Sequence, residues 1–116
     1  MKSPNILIQE LRKKVVEGHT RSESWRRSQL KKLTALINQN ELAILNALKE
    51  DLQKPDTEAF FEILSLRQEL NLTQRDLSKW MRPRKANVPI WLKPGEASIR
   101  NIPLGCVLII GAWNYP

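Results

Sequence analysis

With 116 residues, 41% of them apolar, the chain is long enough for at most one small domain with a modest core. Its net charge of +7 comes in blocks: residues 1–32 hold nine Lys or Arg against three acids, 33–78 eight acids against four bases, and 79–100 six bases against one acid. Such alternation suits segments that neutralise one another at least as well as a nucleic-acid surface, and a single cysteine and a single histidine exclude a disulfide framework, a cysteine-cluster or His-based metal site and a Ser-His-Asp triad within this chain.

Ser3-Pro4 sets a cap and a first-position proline, and Ile8, Leu11 and Val15 recur at helical spacing until Gly18 ends the first helix. Thr20 and Glu23 fit a capping box opening a second helix. Its apolar face is Trp25, Leu30, Leu33 and Ile37, with Arg26, Arg27, Lys31 and Lys32 on the other, solvated side. Asn40 is placed to cap a third helix through Leu42, Ile44, Leu45, Leu48 and Leu52, antiparallel to the second and stopped by Lys54-Pro55. Asp56 or Thr57 then caps a fourth helix of about 25 residues, its buried stripe formed by Phe60, Ile63, Leu66, Leu70, Leu77 and Trp80 and its end set by Pro83. Glu58, Glu62 and Glu69 fall opposite that stripe, on a solvated face.

From Arg82 to Pro94 three prolines and a basic cluster predict an extended connector, and Pro94-Gly95 a turn. Ala97–Ile102 is a weak strand candidate. Cys106 to Ile110 are five consecutive apolar residues between Gly105 and Gly111, a pattern for a strand buried on both faces. The residues that would cover that strand are not encoded in the chain, which points to the opening segment of a larger α/β protein. Its unpaired apolar edge predicts aggregation or partial disorder of residues 95–116. Cys106 lies within the run, where burial raises a thiol's pKa rather than activating it, so it is read as structural. No apolar run approaches the roughly 20 residues of a membrane-spanning helix, no leader-like segment opens the chain, and a cytoplasmic setting follows as the expectation.

Ligands of open α/β sheets bind beyond the carboxyl ends of the strands, which is where Gly111-Ala112-Trp113-Asn114-Tyr115-Pro116 falls. Asn114 either stabilises negative charge developing on an oxygen through its amide donors or serves the turn after Gly111. Trp113 and Tyr115 either line a pocket or pack in the core. From spacing alone both alternatives stay open, and the chain holds no glycine-rich phosphate loop.

The run Pro103–Pro116, PLGCVLIIGAWNYP, resembles the start of the cofactor-binding domain of aldehyde dehydrogenases, and GAWNYP, with Ala112 before the tryptophan, looks like the class-3 or fatty-aldehyde branch. DLQKP at Asp51–Pro55, EAFFEI at Glu58–Ile63 and the Trp80–Pro83 helix end followed by a basic connector are similar to that branch's helical amino-terminal region. The resemblance covers nearly the whole chain. It implies three parts: a helical region 1–82, a connector with an oligomerisation-type strand 83–103, and the start of an NAD(P)-binding domain at 104–116. It also implies oxidation of an aldehyde to a carboxylic acid with NAD or NADP, through a cysteine thiohemiacetal and a thioester that a glutamate-activated water opens. Asn114 becomes the side-chain half of the oxyanion hole, and Gly111, Ala112, Trp113 and Tyr115 line the cofactor cleft near the nicotinamide. The full-length form is implied to be a homodimer that binds no nucleic acid. The nucleophilic cysteine and general-base glutamate lie beyond Pro116 in the family, so the 116 residues alone are expected to be inactive. Two other readings compete. One is a small basic helical module that binds nucleic acid or an acidic protein through Arg26, Arg27, Lys31 and Lys32. The other is a fragment that pairs its exposed strand with a homologous enzyme.

Overall fold

Proline at the first helical position has no amide hydrogen to leave unpaired there, and helix α1 duly starts at Pro4 and runs Pro4–Val16, with Ser3 before it. The computed structural model describes residues 3–112 and residue 115. Gly18, at φ 81°, ends α1 with its amide on the Val15 carbonyl, a left-handed position that glycine occupies without a Cβ clash.

Helix α2 spans Glu23–Gln39, and its cap differs from the expected box. Ser22, not Thr20, accepts the Trp25 amide at 3.2 Å, because a hydroxyl three residues before that donor reaches it. Glu23, as the first helical residue, turns its carboxylate to Arg27 and Ser78 instead. Asn40 separates α2 from α3, Glu41–Leu52. Its side-chain amide donates to the Leu36 carbonyl, so it closes the end of α2 rather than opening α3. Gln53, at φ 51°, turns the chain out of α3, and Lys54-Pro55 leads into α4, Asp56–Met81. Asp56 is the first residue of α4 and Pro55 its cap, so neither Asp56 nor Thr57 takes the capping position.

Helix α4, about 39 Å long at 1.5 Å per residue, is the spine: α2 and α3 both pack on it. Its buried residues are Ala59, Ile63, Leu70 and Leu77, the last three spaced by seven, which keeps them on one side of the helix. Ile37, Ile63 and Leu70 form the core, with Leu30, Ile44 and Leu45 against them. The expected stripe was too wide. Phe60, Leu66 and Trp80 are each more than two-fifths exposed, because two neighbours cover only one side of α4. Leu42 of α3 faces solvent for the same reason, at 77% exposure. Glu62, expected on the solvated face, lies between α3 and α4 with only 10% of its side chain exposed and pairs with Lys54.

The connector is more ordered than its composition predicts. Arg84–Ala86 forms strand β1, which pairs antiparallel with β2, Ala97–Ile99, placing Arg84 opposite Ile99. β1 carries two bases in three residues and shows no apolar alternation, so nothing in the pattern marked it. A 3-10 turn at Ile90–Leu92 and the Gly95 amide on the Leu92 carbonyl close the hairpin. A Cβ at Gly95 would come within 2.6 Å of that oxygen, so only glycine fits. Asn101 donates to the Trp80 carbonyl at 2.9 Å and ties the outgoing chain to the end of α4.

The run 104–112 does not form the buried strand expected of it. It has no regular structure, no strand among the described residues pairs with it, and Leu108, Ile109 and Ile110 are about 85% exposed. Cys106 is exposed with them, not buried. A strand pattern needs backbone partners and two apolar faces to lie between. The chain's radius of gyration is 19.7 Å, against about 13 Å for a compact domain of this length. Its 10174 Å² of accessible surface is about half as much again as its mass predicts.

Candidate functional site

The residues singled out at the end of the apolar run do not converge on a cleft. Trp113 and Asn114 lie outside the described residues. Gly111 and Ala112 are exposed, and a Cβ built on Gly111 meets nothing within 4 Å. Tyr115, 62% exposed, lies beside the helices, with its ring 4.8 Å from the Lys54 ammonium. Lys54 in turn pairs with Glu62, and both side chains are mostly buried, at 15% and 10% exposure. The ammonium thus lies against a carboxylate on one side and the face of a phenol ring on the other.

Tyr115 borders a groove of about 1080 Å³ between α2, α3 and α4, walled by Leu33, Leu36, Ile44, Leu48 and Leu66. Asp51 of α3 and Glu62, Ser65 and Glu69 of α4 also line it. Nothing in the sequence pointed to this arrangement, because its walls belong to three helices whose relative placement no spacing rule gives.

The second set of candidate residues is dispersed. Arg27 is half-buried between α2 and α4, donating to the Gln74 carbonyl, the Ser78 hydroxyl and the Glu23 carboxylate, each at 2.7 Å. Ser78 donates to the same Glu23 oxygen at 2.5 Å. That bond, together with the one from Arg27, holds the Glu23 carboxyl below its ordinary pKa of 4.5. Arg26 donates to the Thr20 carbonyl and is half-buried as well, while Lys31 and Lys32 stay exposed. The expected solvated face of four bases is corrected to two: the Gln74 carbonyl and Ser78 hydroxyl of α4 draw in Arg27, and the Thr20 carbonyl ahead of α2 draws in Arg26. The (i, i+4) spacing of Glu23 and Arg27 was legible, and Ser78 as their partner was not.

Among the described residues no three His, Cys, Asp or Glu side chains gather as a metal site needs, and no helix is long and apolar enough to cross a membrane.

The sequence matches the model of the aldehyde dehydrogenase family over residues 8–116. The chain belongs to the aldehyde dehydrogenase family. Its similar relatives are class-3 members. Aldehyde dehydrogenase family 3 member H1 of Arabidopsis thaliana is 42% identical over 111 residues, covering 95% of this chain and 23% of that protein. Family 3 member I1, chloroplastic, of the same plant is 39% identical over 99% of this chain and 21% of the relative. Family 3 member B1 of Bos taurus is 38% identical over 94% and 24%. The chain thus spans less than a quarter of the length of the curated relatives it matches, and no solved structure matches it significantly. Members of the family use NAD(P). The described residues do not by themselves form a dinucleotide cleft, since Gly111 has open space around it, Ala112 is exposed and Tyr115 lies at the helical groove.

Proposed function

We propose that the chain is the amino-terminal segment of an NAD(P)-dependent aldehyde dehydrogenase that oxidises aldehydes to carboxylic acids, and that the 116 residues alone turn nothing over. The observation that carries this reading is the uncovered run Leu104–Ile110, directly before GAWNYP, in a chain whose family match extends through it. Exposed β-branched residues in that number are surface that a stable fold covers. In the parent enzyme they become a strand between neighbours, and the turn after Gly111 is held at the strand's end.

On this reading Asn114 acts as a hydrogen-bond donor. An amide N–H needs no ionisation to stabilise an alkoxide, and it keeps its proton as the oxygen's charge rises and falls. Gly111, Ala112, Trp113 and Tyr115 form one wall near the nicotinamide, contributed by backbone and rings. The nucleophilic cysteine and the general base come from the remainder of the enzyme, a cytoplasmic homodimer in this reading. The competing nucleic-acid module loses support with Arg27, whose guanidinium is engaged with α4.

A chimera tests the proposal. Residues 8–116 of this chain replace the matching segment of a full-length class-3 relative, and aldehyde-dependent reduction of NAD and of NADP is followed. The folded chimera is expected to be active. Asn114→Ala in it should lower kcat about 10² to 10³-fold, the loss typical of one oxyanion donor, while cofactor affinity stays unchanged. An inactive but folded chimera, or an unaffected Asn114→Ala, would refute the assignment. Turnover by the 116-residue chain itself would refute its expected inactivity.

A further inference from the structure

The far end of the chain returns to the helices, and two backbone positions show how. Gly105, at φ 96°, turns the chain where a Cβ on it would lie 3.8 Å from the Val15 side chain of α1. Tyr115, at φ 58°, lines the groove between α2, α3 and α4, with its ring under the Lys54 ammonium at 4.8 Å. Between these two positions residues 106–112 are exposed and irregular. Glycine takes a left-handed angle freely, whereas a tyrosine there is strained and keeps the angle only where its surroundings hold it. The holding contact is visible. The ammonium is attracted to the ring face, and Lys54 is itself fixed by Glu62, so the charge is offered from one place.

We propose that Tyr115 is a latch: in the free chain its ring, seated on the groove against Lys54, holds the end of the exposed apolar run to the helical region. The energetics are those of a switch rather than of a fixed structure. Tyr115 is 62% exposed, so the contact buries little and sets a ring–cation attraction against a strained backbone. A contact so balanced opens and recloses readily. Opening relieves the left-handed angle and leaves Lys54 paired with Glu62, so the helices keep their fold in either state. Under the proposed function Tyr115 lines the cofactor cleft, which it cannot do while seated in the helical groove. On that reading the latch opens when the run is taken into a sheet. The seated state itself rests on no property of the enzyme.

Chymotrypsin cleavage after Leu108 of the full chain, followed by mass spectrometry, reads the latch, since cutting of a segment that opens and recloses quickly tracks its open population. Tyr115→Ala should raise that rate about threefold to tenfold, the range of a ring–cation contact at a partly exposed site. Tyr115→Phe keeps the ring face and should leave the rate near its original value. Lys54→Met with Glu62→Leu removes the cation without leaving a lone buried carboxylate. That pair should speed cleavage as Tyr115→Ala does, and combining all three changes should bring no further gain. In the unaltered chain the ring should shift the Lys54 ε-methylene protons upfield, and Tyr115→Ala should abolish the shift at unchanged far-UV ellipticity. Equal cleavage of the unaltered and Tyr115→Ala chains would overturn the proposal. So would a Tyr115→Phe chain cut as fast as Tyr115→Ala, or Lys54 protons indifferent to Tyr115→Ala. None of these readouts involves turnover: an inactive folded chimera refutes the enzyme assignment, and unchanged cleavage refutes the latch.

Discussion

Ile63→Ala probes whether three helices share one small core. Ile63 is 3% exposed and touches the cluster of Ile37 and Leu70, in a chain with only six buried hydrophobics among its described residues. The change removes three carbons, about 2.4 kcal/mol at roughly 0.8 kcal/mol per buried methylene. The vacated space opens into the groove that Ile63 lines rather than into a sealed void, so the cavity penalty is small and the loss stays near 2 to 3 kcal/mol. Urea unfolding followed by tryptophan fluorescence, with Trp25 and Trp80 on α2 and α4 as reporters, should show a midpoint lowered by about 1 to 2 M for a slope of roughly 1.5 kcal/mol/M. Leu42→Ala, at a site 77% exposed, should move it by less than about 0.5 kcal/mol. Equal losses at the two sites, or none at Ile63, would refute the core described here.

Arg27→Ala should destabilise by about 1 to 2 kcal/mol through three lost hydrogen bonds, while Lys31→Ala leaves the midpoint unchanged. Lys54→Met leaves the Glu62 carboxylate mostly buried without its partner and should cost about 3 kcal/mol, whereas Lys54→Met combined with Glu62→Leu should recover most of it, as urea midpoints would show. Because the folded state lowers the Glu23 pKa, its proton binds more readily to the unfolded chain. The carboxylate therefore adds stability above pH 4.5 and loses it as pH falls through the lowered value, and Glu23→Gln should flatten that part of an acid unfolding curve. Ile109→Asp, at an 84% exposed site, should raise solubility without shifting the thermal midpoint, and a lowered midpoint would show that the run is packed after all.

Local chemistry alone was enough for the four helices, and resemblance to known motifs for the family. Pro4, Gly18 and Pro83 bound their helices through fixed or left-handed backbone angles, and GAWNYP with DLQKP and EAFFEI identified the dehydrogenase family. Burial was not legible to the same degree. Helix α4 offers apolar residues on more than one side, and only the positions of α2 and α3 decide that Ile63, Leu70 and Leu77 are covered while Phe60 and Leu66 are not. Arg27 looked like a surface base because nothing in its neighbourhood along the chain shows that the Gln74 carbonyl and Ser78 hydroxyl stand opposite it. The five residues Cys106–Ile110 have strand propensity, yet they stay irregular: a strand exists only where backbone donors and acceptors of another segment meet its own, and none of the described residues offers them.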